Sequence, residues 1–173
     1  MIMVYGPTGV GKTTLLGRIQ AQVLQESLPE LEKDAGRMPI GLVTAASPEM
    51  GNFNWKDFYV RSLNALNEPL VENKIDPDLR ASRFHSETRF AFHALSSVPE
   101  LRRALEQCLH HRRLIAFIID DAQHLKKMAS GRRLLDLMDT LKSLADLTGV
   151  VFVLAWTYEM LDLTNLSAQL SRR

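Results

Sequence analysis

Eight consecutive residues, Gly6-Pro7-Thr8-Gly9-Val10-Gly11-Lys12-Thr13, satisfy G-x-x-x-x-G-K-[ST] at every fixed position. A phosphate anion needs converging backbone N–H groups, and glycines let the chain close around it with no Cβ in the way. Lys12 would neutralise the β- and γ-phosphates, Thr13 would ligate Mg²⁺, and Thr14 would continue the binding loop into a helix. The plainer alternative is a glycine-rich turn between a strand and a helix. A second constellation, Asp120-Asp121, directly follows the apolar run Leu114-Ile115-Ala116-Phe117-Ile118-Ile119. An apolar strand ending in paired carboxylates has the form of a Walker B element. Asp120 would hold Mg²⁺ together with Thr13, and Asp121 sits where a base or water-positioning group belongs. Two adjacent aspartates could instead cap the next helix.

These groups need elements to position them. Met1 to Tyr5 reads as a short buried strand. Leu15, Leu16, Ile19 and Val23 then recur at helical spacing, which puts the phosphates at a helix N-terminus, where the macrodipole favours them. That helix should stop near Ser27-Leu28-Pro29, with residues 30–37 as a surface connection. Ile40 to Ala46 reads as a second strand. Asn54 can cap a helix whose Trp55, Phe58, Tyr59, Leu63 and Leu66 share a face. A helix from Glu100 to about Arg113 carries the stripe Leu101, Ala104, Leu105, Cys108, Leu109, which makes Cys108 a core filler. Another helix spans Gly131 to Thr148, Gly149 is a natural C-cap, and Val150 to Ala155 is the fourth strand. Strands alternating with helices predict an α/β fold: a mostly parallel sheet covered on both faces, with the ligand at the carboxyl ends of the strands.

Composition sets limits. A chain of 173 residues is one domain of ordinary size, and a net charge of +1 points to no acidic or basic partner by itself. One cysteine excludes an internal disulfide and suits a reducing compartment. The longest apolar run is far too short to cross a membrane and there is no charged-then-apolar signal region, so the expectation is a cytoplasmic protein with no membrane partner. In residues 70–98, Arg80, Arg83, Arg89, His85 and His93 interleave with Phe84, Phe90 and Phe92. That mixture suits a nucleic-acid surface or, more plainly, a helix with a half-buried aromatic side. Lys126-Lys127 and Arg132-Arg133 flank the loop after the carboxylates. His110-His111-Arg112-Arg113 ends a helix, where basic residues complement the dipole.

Asp120-Asp121-Ala122-Gln123-His124-Leu125, a fourth strand running into Trp156-Thr157-Tyr158, and the ending Asn165-Leu166-Ser167-Ala168-Gln169-Leu170-Ser171-Arg172-Arg173 together resemble the TniB/TnsC family of AAA+ ATPases that regulate transposition. The resemblance covers nearly the whole chain, including Trp55-Lys56-Asp57-Phe58-Tyr59. It implies a P-loop NTPase with an AAA+ core that binds ATP and Mg²⁺. It also implies a homo-oligomer, ring or filament, that assembles on DNA without sequence specificity and links target choice to a transposase and other transposition proteins. By position, Thr157 would be the sensor 1 residue, and Arg172 or Arg173 the arginine finger offered to a neighbour's ATP. His124 follows the carboxylates, near either the nucleotide or a subunit boundary.

Two departures stand out. The family usually has Glu where this chain has Asp121, and one methylene less withdraws the carboxylate by roughly 1.5 Å. The chain also stops at Arg173, before the fifth strand and helical lid that the resemblance implies, and starts directly on the first strand. The expectation is therefore an AAA+ core over residues 1–173 without its lid. Three function classes follow: a DNA-bound regulatory ATPase, a nucleotide-gated assembly protein with little turnover, and a P-loop kinase for a small metabolite.

Overall fold

The computed structural model describes residues 1–47, 53–69, 97–127 and 131–158, and within them every side chain but those of 126–127 and 131–137. Four strands, β1 (Ile2–Tyr5), β2 (Ile40–Thr44), β3 (Ala116–Asp120) and β4 (Val151–Trp156), form one parallel sheet in the order β1-β4-β3-β2. Parallel neighbours require crossovers, and the helices that make them cover both faces, as the alternating pattern predicts. These are α1 (Lys12–Glu26), α2 (Leu28–Leu31), α3 (Trp55–Ala65), α4 (Val98–His111) and α5 (Gly131–Thr148), with a 3₁₀ segment over Ala122–Lys127.

Side-chain alternation along the strands divides the core. Phe117, Ile119, Phe152, Leu154 and Trp156 point to the face covered by α3, α4 and α5, where they meet Phe58, Leu63, Leu105, Leu109, Leu141 and Leu144. Ile118, Ala155 and Ile40 point to the opposite face, where α1 presents Leu16 with Val23 and Leu24 beside it. The α1 stripe is therefore narrower than its sequence suggests: Leu15 is 52% and Ile19 41% exposed. At 3.6 residues per turn both fall to one side of Leu16, about 100° and 60° away, whereas the packed Leu24 falls to the other.

Helix ends are set by local chemistry. Asn54 Oδ1 accepts from Asp57 N at 3.1 Å, the cap expected from sequence. Ser97 and Glu100 form a reciprocal capping box that starts α4 two residues before the expected Glu100. Gly149, at φ 71°, closes α5 through Gly149 N to Ala145 O at 2.8 Å. Pro29 falls in the first turn of α2, so part of the expected surface connection is helical. β2 ends at Thr44 and β4 runs one residue further than expected, to Trp156. Arg112, at the end of α4, donates to Gly36 O and Asn67 O at 3.1 and 2.9 Å, tying three connections at the amino end of the sheet. The mixture of Arg, His and Phe expected within 70–98 lies outside the described residues.

Candidate functional site

The phosphate-loop residues leave β1 and enter α1 with the backbone their types permit. Gly9 and Gly11 lie at φ +82° and +91°, the left-handed region where a Cβ costs about 1–2 kcal/mol. Gly6 is buried, and a Cβ there would stand 3.0 Å from Val10 Cγ1. Gly11 is the N-cap of α1, with no side-chain cap and no acidic residue in the first turn. Val10 N reaches Pro7 O at 3.4 Å and Leu15 N reaches Gly11 O at 2.9 Å. Among the described residues, no acceptor takes the N–H groups of Lys12, Thr13 and Thr14. This is the donor set of an anion site at a helix start. Lys12 Nζ curls over the loop to Gly6 O and Pro7 O at 2.9 and 2.8 Å, which leaves one of its three donors free for an anion.

The carboxylates stand two strands away. Asp120 ends β3 opposite Thr44 in the β2 register and is 1% exposed. Its Oδ1 accepts from Asp121 N at 2.9 Å and its carbonyl from Ala45 N at 2.9 Å. Among the described residues no Lys or Arg pairs with it. A buried carboxylate is costly without a cation, and Asp120 with the exposed Thr13 hydroxyl offers the hard oxygens that suit Mg²⁺. Among the described residues, no group of three or more His, Cys, Asp or Glu could hold a metal. A cation here would be shared with phosphate oxygens and water, the usual Mg²⁺ arrangement.

Asp121 adopts φ 51°, a left-handed conformation that short polar side chains tolerate best. Its carbonyl accepts from His124 N at 3.0 Å, while its Oδ1 accepts from Gln123 Nε2 at 2.9 Å. The capping alternative is thus answered at Asp121 by its carbonyl: no bond runs from the backbone of Ala122–Lys127 to either carboxylate among the described residues.

β4 lies between β1 and β3, so Thr157 follows the strand that separates the loop from the carboxylates. Its Oγ1 is buried and takes no partner among the described residues, as are Gln123 Oε1, His124 Nδ1 and Trp156 Nε1. Such orphans are uncommon in native interiors, and those of Thr157, Gln123 and His124 follow β4 and β3. The topology brings Gly6 to Thr14, Thr157, and Asp120 with Asp121 to one carboxyl edge. What sequence reasoning missed is the contact that Gln123 makes with Asp121. The signal was its polar side chain two positions after Asp121, between Ala122 and Leu125, both of which are buried. Arg172 and Arg173 lie outside the described residues, as do the side chains of Lys126, Lys127, Arg132 and Arg133. Among the described residues no helix is long and apolar enough to cross a membrane.

A comparison with curated proteins finds no match. A family model described as an AAA domain matches residues 1–164, a span that contains the loop, both carboxylates and Thr157. With that match on a parallel sheet flanked by helices, the chain belongs to the AAA domain family, nucleotide-binding P-loop domains that are generally ATPases.

Proposed function

We propose that this AAA domain is an Mg·ATP-hydrolysing regulator that assembles on DNA and couples target selection to a transposase. The ATP part is carried by one observation: the uncapped start of α1, the orphaned Thr157 hydroxyl and the buried Asp120 stand at the carboxyl ends of β1, β4 and β3, three neighbouring strands. The loop N–H groups and Lys12 hold the β- and γ-phosphates. Thr13 and Asp120 hold Mg²⁺, which when bound neutralises charge on the phosphate oxygens. Asp121 orients and deprotonates the attacking water, and Thr157 Oγ1 donates to the γ-phosphate. The regulatory part rests on the sequence resemblance to the TniB/TnsC family, which also assigns Arg172 or Arg173 to a neighbour's γ-phosphate. An arginine finger in trans is worth about 10³ to 10⁵ in rate.

The short reach of Asp121, together with its carboxylate engaged by Gln123, favours a second reading: a nucleotide-gated assembly protein with little turnover. Phosphate release measured against protein concentration, with and without duplex DNA, separates the two. The regulatory ATPase gives specific activity that rises with concentration and with DNA of any sequence, and an effect of DNA that shrinks steeply with salt. Assembly on Mg·ATP without phosphate release identifies the second reading. A rate that is high and flat down to dilute monomer contradicts both.

A further inference from the structure

Asp121 carries its carboxylate one methylene closer to the backbone than Glu would, and Gln123 Nε2 already donates to its Oδ1 at 2.9 Å. A carboxylate only accepts, so the amide must turn its nitrogen to Asp121 and send Oε1 the other way. That Oε1 is buried, with no donor among the described residues. The amide projects from a rigid turn: Asp121 sits at φ 51°, His124 N closes onto Asp121 O at 3.0 Å, and Ala122 and Leu125 are anchored in the core. The same 3₁₀ segment packs against β4, whose following residue Thr157 carries a second buried, unpartnered oxygen.

We propose that Gln123 and Asp121 form one water-holding unit, in which Gln123 supplies the reach that Asp121 lacks. The amide nitrogen fixes the carboxylate, and Oε1 accepts a hydrogen bond from the attacking water. The water's other proton is directed to Asp121 Oδ2. As the water oxygen bonds to the γ-phosphorus, the bond from phosphorus to the β,γ-bridging oxygen breaks and its electron pair leaves with ADP. The proton taken up by Asp121 passes to the released phosphate. This inference rests on the ATPase reading above.

The test compares Gln123→Met, which keeps the length of the side chain and loses both hydrogen bonds, in wild-type, Asp121→Asn and Asp121→Glu backgrounds. Asn also tolerates the left-handed backbone, so Asp121→Asn removes the charge alone. Readouts are kcat, Mg·ATP affinity, and affinity for Mg·ADP with aluminium fluoride, a mimic of the transferring phosphoryl group. Gln123→Met should lower kcat by roughly tenfold or more. Mg·ATP affinity should stay within about threefold, while binding of the aluminium fluoride complex weakens in step with kcat. Asp121→Asn/Gln123→Met should be no slower than Asp121→Asn, since two parts of one unit do not lose rate independently. In the Asp121→Glu background, where the longer side chain reaches the water itself, Gln123→Met should cost less than about threefold. If Gln123→Met does not fold, Gln123→Asn, which withdraws the amide by one methylene, should show the same losses. A fast wild type, a slow Asp121→Asn and an unimpaired Gln123→Met would overturn the role of Gln123 alone. So would losses that multiply in the double variant, or an equal cost in the Asp121→Glu background. A wild type that binds Mg·ATP without hydrolysing it, or an unimpaired Asp121→Asn, overturns the ATPase reading and this unit with it.

Discussion

Tyr5 and Trp156 face each other in the β1–β4 register, with ring planes 9° and centroids 6.5 Å apart. Each ends its strand, one residue before Gly6 or Thr157, so the pair lies at the carboxyl edge that carries the candidate site. Trp156 is fully buried, and its Nε1 finds no acceptor among the described residues. Trp156→Ala should therefore cost about 3–5 kcal/mol in urea unfolding. Trp156→Phe should cost less than about 1.5 kcal/mol, because the volume lost is offset by removing an unpaired donor. A Trp156→Phe as damaging as Trp156→Ala would mean that the indole N–H is satisfied.

At Gly41 the sheet admits no side chain. A Cβ there would stand 2.7 Å from Leu66 Cδ2 and 2.9 Å from Phe117 Cδ2, and both residues are fully buried. This glycine lets the end of α3 close onto β2. Gly41→Ala should destabilise the domain by about 1–3 kcal/mol through overpacking, measured as a lower urea midpoint. A midpoint equal to wild type would show that Leu66 and Phe117 repack freely.

Two groups make the fold sensitive to alkali. Burial raises the Cys108 thiol from its ordinary value of 9.0 to about 12, helped by its hydrogen bond to Glu68 Oε2 at 3.3 Å. Burial likewise raises Tyr59 from 10.0 to about 12, with Arg102 pulling it down and Glu106 pushing it up. Both folded values lie above the unfolded ones, so the native state holds these protons more tightly. Their contribution is complete below the unfolded values and is lost as pH rises toward 12. Urea midpoints should fall between pH 9 and 11, and less steeply in Cys108→Ala, which lacks the thiol's share. At pH 8 the native thiol should react with a disulfide reagent far more slowly than the denatured one. Identical slopes with and without Cys108 would contradict the assignment.

Much of this was legible in the chain because local rules and global fold agree. The loop glycines, the Asn54 cap, Gly149, the α4 stripe and the apolar β3 strand each express a backbone or packing requirement within a few residues. The exposed Leu15 and Ile19 misled because periodicity reports which residues could face a core, whereas one helix on a sheet buries a single line of contact. The strand order is non-local, so no periodicity within a segment could place β1 beside β4. The Gln123–Asp121 hydrogen bond is not legible in the sequence because it depends on the left-handed turn at Asp121, which no composition or spacing rule announces.

The central claim is that the loop from Gly6 to Thr14 is a phosphate site, and calorimetric titration of Mg·ATP into wild type and Lys12→Ala tests it most directly. Lys12 Nζ already bonds two loop carbonyls, so thermal unfolding of the variant must be followed in parallel. Charge-assisted bonds of about 1.5–3 kcal/mol each are at stake, so affinity should fall by roughly a hundredfold or more while the variant remains folded. A folded Lys12→Ala protein that binds Mg·ATP as tightly as wild type would contradict the account.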